Sequence, residues 1–323
     1  MTDTPAFLDA DRPDVPDIVV PRGVLPFHLP HKPVRGRLVR LGGLADALIT
    51  RHAPHPLVAG LLGEALALTA ALAAALKYRG SFSLQAKGDG AVSMLLADCT
   101  DDGRLRGYAR VEPERLAAAL ANAHPPGAAA LLGRGHLAFS VDQGPQTDRY
   151  QGIVALIGPD LAAMALHYFE TSEQMPCAVR LACARTDAGW RAGALVLERV
   201  AGAGGVDPDM SQAEQDEHWN TAVMLAATLS DAELLDDALS GEQLLFRLFH
   251  GEGVAADRPR ALAYGCRCSR AKLSGILEGF GGEDLDGMVV DGAIVMTCEF
   301  CNVDFRFARD EVRGQDWNDQ GLT

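Results

Sequence analysis

The sequence predicts an α+β protein with a mostly antiparallel-sheet core domain, an acidic helical linker and a small C-terminal domain built around four cysteines. Three observations carry this. Apolar runs with period-two alternation follow one another in hairpin-like succession rather than in strict strand–helix–strand order. A block from residue 207 to 258 switches to helical spacing and collects most of the net charge. Four of the seven cysteines fall in two tight pairs near the C-terminus. At 323 residues, 48% hydrophobic and 22% charged, the chain can bury a sizeable core, which removes a disulfide-stapled miniprotein and a wholly disordered chain from consideration.

Taken in order, residues 1–17 read as a disordered acidic tail, with Asp3, Asp9, Asp11, Asp14 and Asp17 against Arg12 and no face to bury. The core domain is expected over 18–206, its globular pattern setting in at Val34. Leu57–Leu76 is nearly all apolar, with Glu64 its one charge; its high alanine content, its isolation and basic residues on both flanks favour a buried core helix over a membrane span. After Gly80 the period becomes two. Phe82, Leu84 and Ala86 share one face, and Gly88-Asp89-Gly90 signals a hairpin into Ala91–Ala97. Arg104–Val111 and Tyr150–Ile157 read as further strands, Leu161–Glu170 as a helix, and Ala194–Leu197 as an apolar strand.

The linker, 207–258, holds twelve acids and two bases, a net −10 out of −14 for the chain. Ser211-x-x-Glu214, Ser230-x-x-Glu233 and Ser240-x-x-Gln243 are capping-box patterns, each marking a helix start. Trp219, Ala222, Val223, Ala226 and Leu229, then Leu244, Leu245, Leu248 and Phe249, form apolar stripes. Helices this short are marginal alone, so the stripes must dock on something.

In the C-terminal domain, expected over 259–323, Cys266-Arg267-Cys268 and Cys298-Glu299-Phe300-Cys301 are separated by 29 residues. Two such pairs supply four thiolates for one tetrahedral Zn²⁺ per chain. Ser269 is placed to cap a helix over Arg270–Phe280, and Asp291-Gly292 signals a hairpin between Met288–Val290 and Ala293–Met296. By analogy with zinc-finger peptides the metal would contribute about 10–16 kcal/mol. Disulfides formed within the pairs would close short loops and add at most about 2 kcal/mol each, too little to replace a bridge across 30 residues. Oxidation is therefore expected to eject the metal, unfold this domain and withdraw the surface on which the acidic helices dock.

At these residues the sequence resembles the redox-regulated 33-kilodalton heat-shock chaperone (33 kDa chaperonin) family. The resemblance rests on the C-x-C-S-R start at Cys266–Arg270 and on Cys298–Cys301. Outside the cysteines it rests on Val34–Val39, Gly80-Ser81 with Gly88-Asp89-Gly90, Arg106–Val111, Tyr150–Val154 and Tyr168–Gln174. It implies a non-enzymatic, ATP-independent holdase of the cytoplasm, active in the stress response. The reduced form would be a zinc-bound, inactive monomer. Cys266, Cys268, Cys298 and Cys301 would be both the metal ligands and the disulfide formers, paired Cys266–Cys268 and Cys298–Cys301. Oxidation would release zinc, unfold the linker, drive homodimerisation and expose the apolar stripes of the linker and the core face beneath them to unfolding client proteins.

Other functions find less support. A net charge of −14 and the acids around the cysteines disfavour nucleic acid and anionic membranes. The start of the chain has neither a basic nor an apolar leader pattern, which goes with reduced cytoplasmic thiols. No G-x-S-x-G, P-loop or G-x-G-x-x-G is present. A thiol–disulfide oxidoreductase using Cys298 and Cys301 and a constitutive binding module with a structural zinc ribbon are the alternatives that the cysteines alone leave open. His28-x-x-His31 and His52-x-x-His55 read as loop histidines among prolines, and Cys99, Cys177 and Cys183 as buried inert thiols.

Overall fold

Strands that alternate side chains between two faces can be covered on both, and the large sheet of this protein uses both faces. The computed structural model describes residues 12–52, 54–76, 79–144, 150–200, 207 and 209–312. It divides into two compact units, Asp17–Gly265 and Cys266–Thr323 with Met1–Pro16. Most of the acidic tail expected over 1–17 lies outside the described residues.

The large unit begins with β1 (Val19–Leu29), β2 (Val34–Arg40), α1 (Gly43–Thr50) and α2 (Pro56–Ala73). A meander follows: β3 (Ser81–Gly88), β4 (Val92–Thr100) and β5 (Arg104–Val111), then α3 (Pro113–Leu120) and α4 (Ala128–Leu132). Next come β6 (Gly135–Asp142), β7 (Tyr150–Ala155), α5 (Leu161–Tyr168), β8 (Cys177–Thr186) and β9 (Gly189–Arg199). Helices α6 (Gln212–Ala227), α7 (Asp231–Leu235) and α8 (Gly241–Phe249) lead to β10 (Ala255–Ala256) and β11 (Arg260–Tyr264).

The sheet runs β7-β6-β3-β4-β5-β11-β1-β2-β9-β8, with β10 paired to β1. Its pairings are antiparallel except that of β11 with β5. The fold is thus α+β with a mostly antiparallel sheet. The expected meander forms, with the Asp102-Gly103 turn held by Gly103 at φ +88°. Strands β1 and β8 carry no clean alternation signal. Pro21 falls in the register shift of β1 between Val20 and Val24, where a missing amide breaks no ladder bond. Strand β11 joins the sheet between β5 and β1, although its residues sit beyond the acidic segment and next to the cysteines in sequence.

Helix α2 is long and apolar enough to cross a membrane, but 78% of it is buried inside the protein. It packs on strands from both halves of the sheet, β3, β4 and β5 as well as β2, β8 and β9. On this face Arg37 and Glu198 form a buried two-pronged pair, with N···O distances of 2.6 and 2.9 Å.

The opposite face of β1, β2, β9 and β8 is covered by α6–α8. All three capping boxes form, and each helix starts at the serine-led position that the sequence marks. Trp219, Ala222, Ala226, Leu229, Leu244, Leu245, Leu248 and Phe249 are buried against Leu25, Phe27, Leu29, Leu38, Leu195 and Leu197. The linker stripes thus lie over a face of the core, as expected, and the core rather than the cysteine domain supplies the surface they bury, because period-two alternation gives these strands a second apolar face that needs a cover. Gly36 belongs to that face. A Cβ at this position would lie 2.2 Å from the Phe27 ring.

Candidate metal centre

The small unit contains α9 (Arg270–Leu277), α10 (Gly282–Gly287), β12 (Ala293–Thr297) and β13 (Asp304–Ala308). Ser269, fully buried, caps α9 by accepting from the Lys272 amide at 3.3 Å, which sets Cys268 at the start of that helix. Asp291 and Gly292 take positive φ, +51° and +75°, as a two-residue turn requires. Only the Val290–Ala293 bridge flanks that turn. Met288 instead ends α10, and the hairpin that forms is β12 with β13. Its connection carries the second cysteine pair: the Asn302 amide donates to the Cys298 carbonyl at 2.8 Å, and the Cys298 amide to Val303 at 3.0 Å.

Arg270 joins the two cysteine-bearing segments. Its guanidinium lies over the Phe307 ring at 4.4 Å, donates to the Arg306 carbonyl at 2.7 Å and pairs with Glu311 at 2.6 Å. Arg12 donates to the Cys266 carbonyl at 2.5 Å.

This framework gathers Cys266, Cys268, Cys298 and Cys301, with all four Sγ atoms within 4.8 Å of one another. Cys266 Sγ lies 3.3 Å from that of Cys268 and 3.7 Å from that of Cys298, and Cys268 Sγ lies 3.4 Å from that of Cys301. Zn–S bonds of about 2.3 Å place tetrahedral sulfurs about 3.8 Å apart, so the donor set fits the metal. Contacts run both within and across the pairs. The thiols share protons: hydrogen bonding to Cys266 raises Cys268 and Cys301 and lowers Cys298. Four thiolates so close repel unless a cation neutralises them.

The remaining candidates sit elsewhere. Cys99 is buried in the sheet, and burial pushes the thiols of Cys177 and Cys183 up to about 12, which suppresses thiolate chemistry. Among the described residues no histidine joins a metal-ligating group of three. His28 approaches Asp257 at 3.5 Å, and His55 caps α2 by accepting from the Leu57 amide. The polar rim of the sheet face under α6–α8 was not anticipated. Its signal was an arginine at each end of the β9 run, Arg191 and Arg199, in step with Leu195 and Leu197.

An antiparallel-rich α+β unit with an acidic helical cover, followed by a compact four-cysteine unit, defines a class of two-unit protein with a candidate soft-metal centre. The chain belongs to the Hsp33 protein family, whose model matches residues 23–308. It is 41% identical over 297 residues to a 33 kDa chaperonin of Caulobacter vibrioides, covering 88% of this chain and 96% of that one. It is 36% identical over 282 residues to a 33 kDa chaperonin of Pseudomonas paraeruginosa, covering 86% and 89%. The crystal structure of the 33 kDa chaperonin (heat shock protein 33 homolog) of Thermotoga maritima has a similar fold. Its TM-score is 0.72 at 22% identity, with 90% of this chain and 96% of that one covered.

Proposed function

We propose that this protein is a redox-regulated, ATP-independent chaperone of the cytoplasm, a holdase rather than an enzyme. The observation that carries the reading is the cluster of four sulfurs, drawn from two segments 29 residues apart and spaced for one soft cation. Membership of the family and the names of its relatives support the chaperone half. A covered apolar sheet face supplies a surface that unfolding clients would use once it is bared.

In the reduced state Cys266, Cys268, Cys298 and Cys301 would hold one Zn²⁺, which keeps the four sulfurs deprotonated and ties the two segments together. On oxidation each pair forms a disulfide, Cys266–Cys268 and Cys298–Cys301. For each pair, two thiolates, one hydrogen peroxide and two protons taken from water would give one disulfide and two waters. The ligand set is then lost, and two short loops contribute at most about 2 kcal/mol each in exchange. Cys266 follows β11 by two residues, so unfolding of the cysteine segment loosens the strand that anchors the end of the acidic linker, 207–258. Release of α6–α8 from the core, 18–206, bares the client surface, and the activated monomers pair as homodimers.

The test is zinc content and suppression of aggregation of a thermally unfolding client, measured side by side before and after peroxide at elevated temperature, with thiol reductant for reversal. The reading expects loss of about one zinc per chain together with gained suppression. Suppression that is the same before and after, with zinc retained, would return the site to a structural ribbon. Catalytic turnover of a disulfide substrate would make the protein an oxidoreductase.

A further inference from the structure

The face under α6–α8 is apolar only at its centre. Around Leu25, Phe27, Leu29, Leu38, Leu195 and Leu197 stand six cations: Arg22, Lys32, Arg40, Arg180, Arg191 and Arg199. The same period-two alternation that aims Leu38 at the helices aims Arg40 there, and Leu195 and Leu197 share their face with Arg191 and Arg199.

Each cation is engaged by the acidic segment. Lys32 meets Glu252 at 2.5 Å, Arg191 meets Asp237 at 2.7 Å, Arg199 meets Asp216 at 2.5 Å, and Arg22 pairs with Glu242. Arg180 reaches Asp231 at 3.2 Å and the Leu229 carbonyl at 3.1 Å. Arg40 donates to the carbonyls of Leu234 at 2.9 Å and Glu233 at 3.1 Å, and to those of Asp236 and Leu239. The segment occupying the face carries a net −10. The cover is therefore a template for what the face accepts: helices with an apolar stripe on one side and carboxylates at its margins.

We infer that the sheet face of β1, β2, β9 and β8, once bared, is a selective binding surface for acidic amphipathic helical segments of unfolding clients, with the linker as its built-in competitor. This rests on the proposed release of the linker. When α6–α8 and the turn through Glu252 leave, six cations lose their partners beside an apolar floor. A client segment that restores both contacts gains over one that restores the floor alone, and a basic segment is repelled. Arg40 adds a preference for helix ends and turns, whose unpaired carbonyls it can take up.

The test uses the full-length protein after peroxide activation and two synthetic peptides. They share one apolar pattern at i, i+3, i+4 and i+7; one carries Glu and the other Lys on the flanks of the stripe. The inference expects the Glu peptide to bind about 10-fold tighter at low salt, and the gap to close towards about 2-fold at about 0.5 M salt. The triple variant Arg22→Glu, Arg180→Glu, Arg199→Glu, activated in the same way, leaves three cations against three anions on the rim and should abolish the preference. Wild-type salt dependence tests the idea even if that variant folds poorly. Equal affinity for both peptides, or a preference for the Lys peptide, with aggregation suppression intact would overturn the inference and leave the chaperone reading standing. Activated protein that suppresses no aggregation and binds neither peptide would overturn the chaperone reading and this inference with it.

Discussion

The ring of Phe249 on α8 stacks on the ring of Phe27 on β1, with centroids 5.5 Å apart and planes 29° apart. Both side chains are almost wholly buried, at 0% and 1% exposure. The acidic helices are thereby part of the hydrophobic core of the large unit. With α7 five residues long and α8 nine, they depend on that packing for their existence.

Truncation at this contact should release the helices selectively. Phe249→Ala is expected to cost about 3–5 kcal/mol, from lost burial and the cavity left over Phe27. Amide hydrogen exchange read by segment should then show 211–249 opening well before the β3–β4–β5 meander. Unchanged protection of α6–α8 would show that another contact holds them.

Arg40 is the second attachment. Arg40→Lys keeps the charge but loses the planar fork that reaches four carbonyls at once, so the 233–239 turn should open with a loss of about 1–3 kcal/mol. Chemical denaturation compared with Arg40→Ala would check this. If the Lys variant matched the wild type, charge alone would account for the attachment.

For the metal centre, Cys298→Ser with Cys301→Ser halves the donor set. Zinc retained after dialysis should fall from about one per chain towards zero, and near-UV signals from Phe305 and Phe307 should be lost, while the large unit stays folded. A zinc-loaded, folded double variant would refute the ligand assignment.

A pH dependence follows from Glu64 on α2. Burial, and then the charges of Asp160 and Asp231, push its carboxyl up to about 7. The native state thus holds a proton that the unfolded chain gives up above about 4.3, so stability declines as pH rises from there to about 7. The cost of the ionised form is at most about 4 kcal/mol. Glu64→Gln should flatten the melting temperature between about pH 5 and 8 and raise it at the upper end. Parallel profiles for the two proteins would remove Glu64 as the cause.

The starts of α6–α9, the four-cysteine set and the α2 core helix were legible in the sequence, because each is a local pattern. A serine three residues before a glutamate or glutamine can cap a helix start in any fold, and cysteine pairs keep their spacing wherever the chain goes. Three features were not legible. Strand β1 hides behind Pro21 and Pro26, β11 joins the sheet from beyond the acidic segment, and which core face the acidic stripes cover is not written in the stripes themselves. These depend on pairing between residues far apart in sequence, such as Val24 with Val39 and Ala263 with Arg104. Only when such pairs form does the alternation in β1, β2, β8 and β9 become one continuous face. Composition can state that a net charge of −10 needs partners, but the sheet register decides that Arg40, Arg180, Arg191 and Arg199 stand together to meet it.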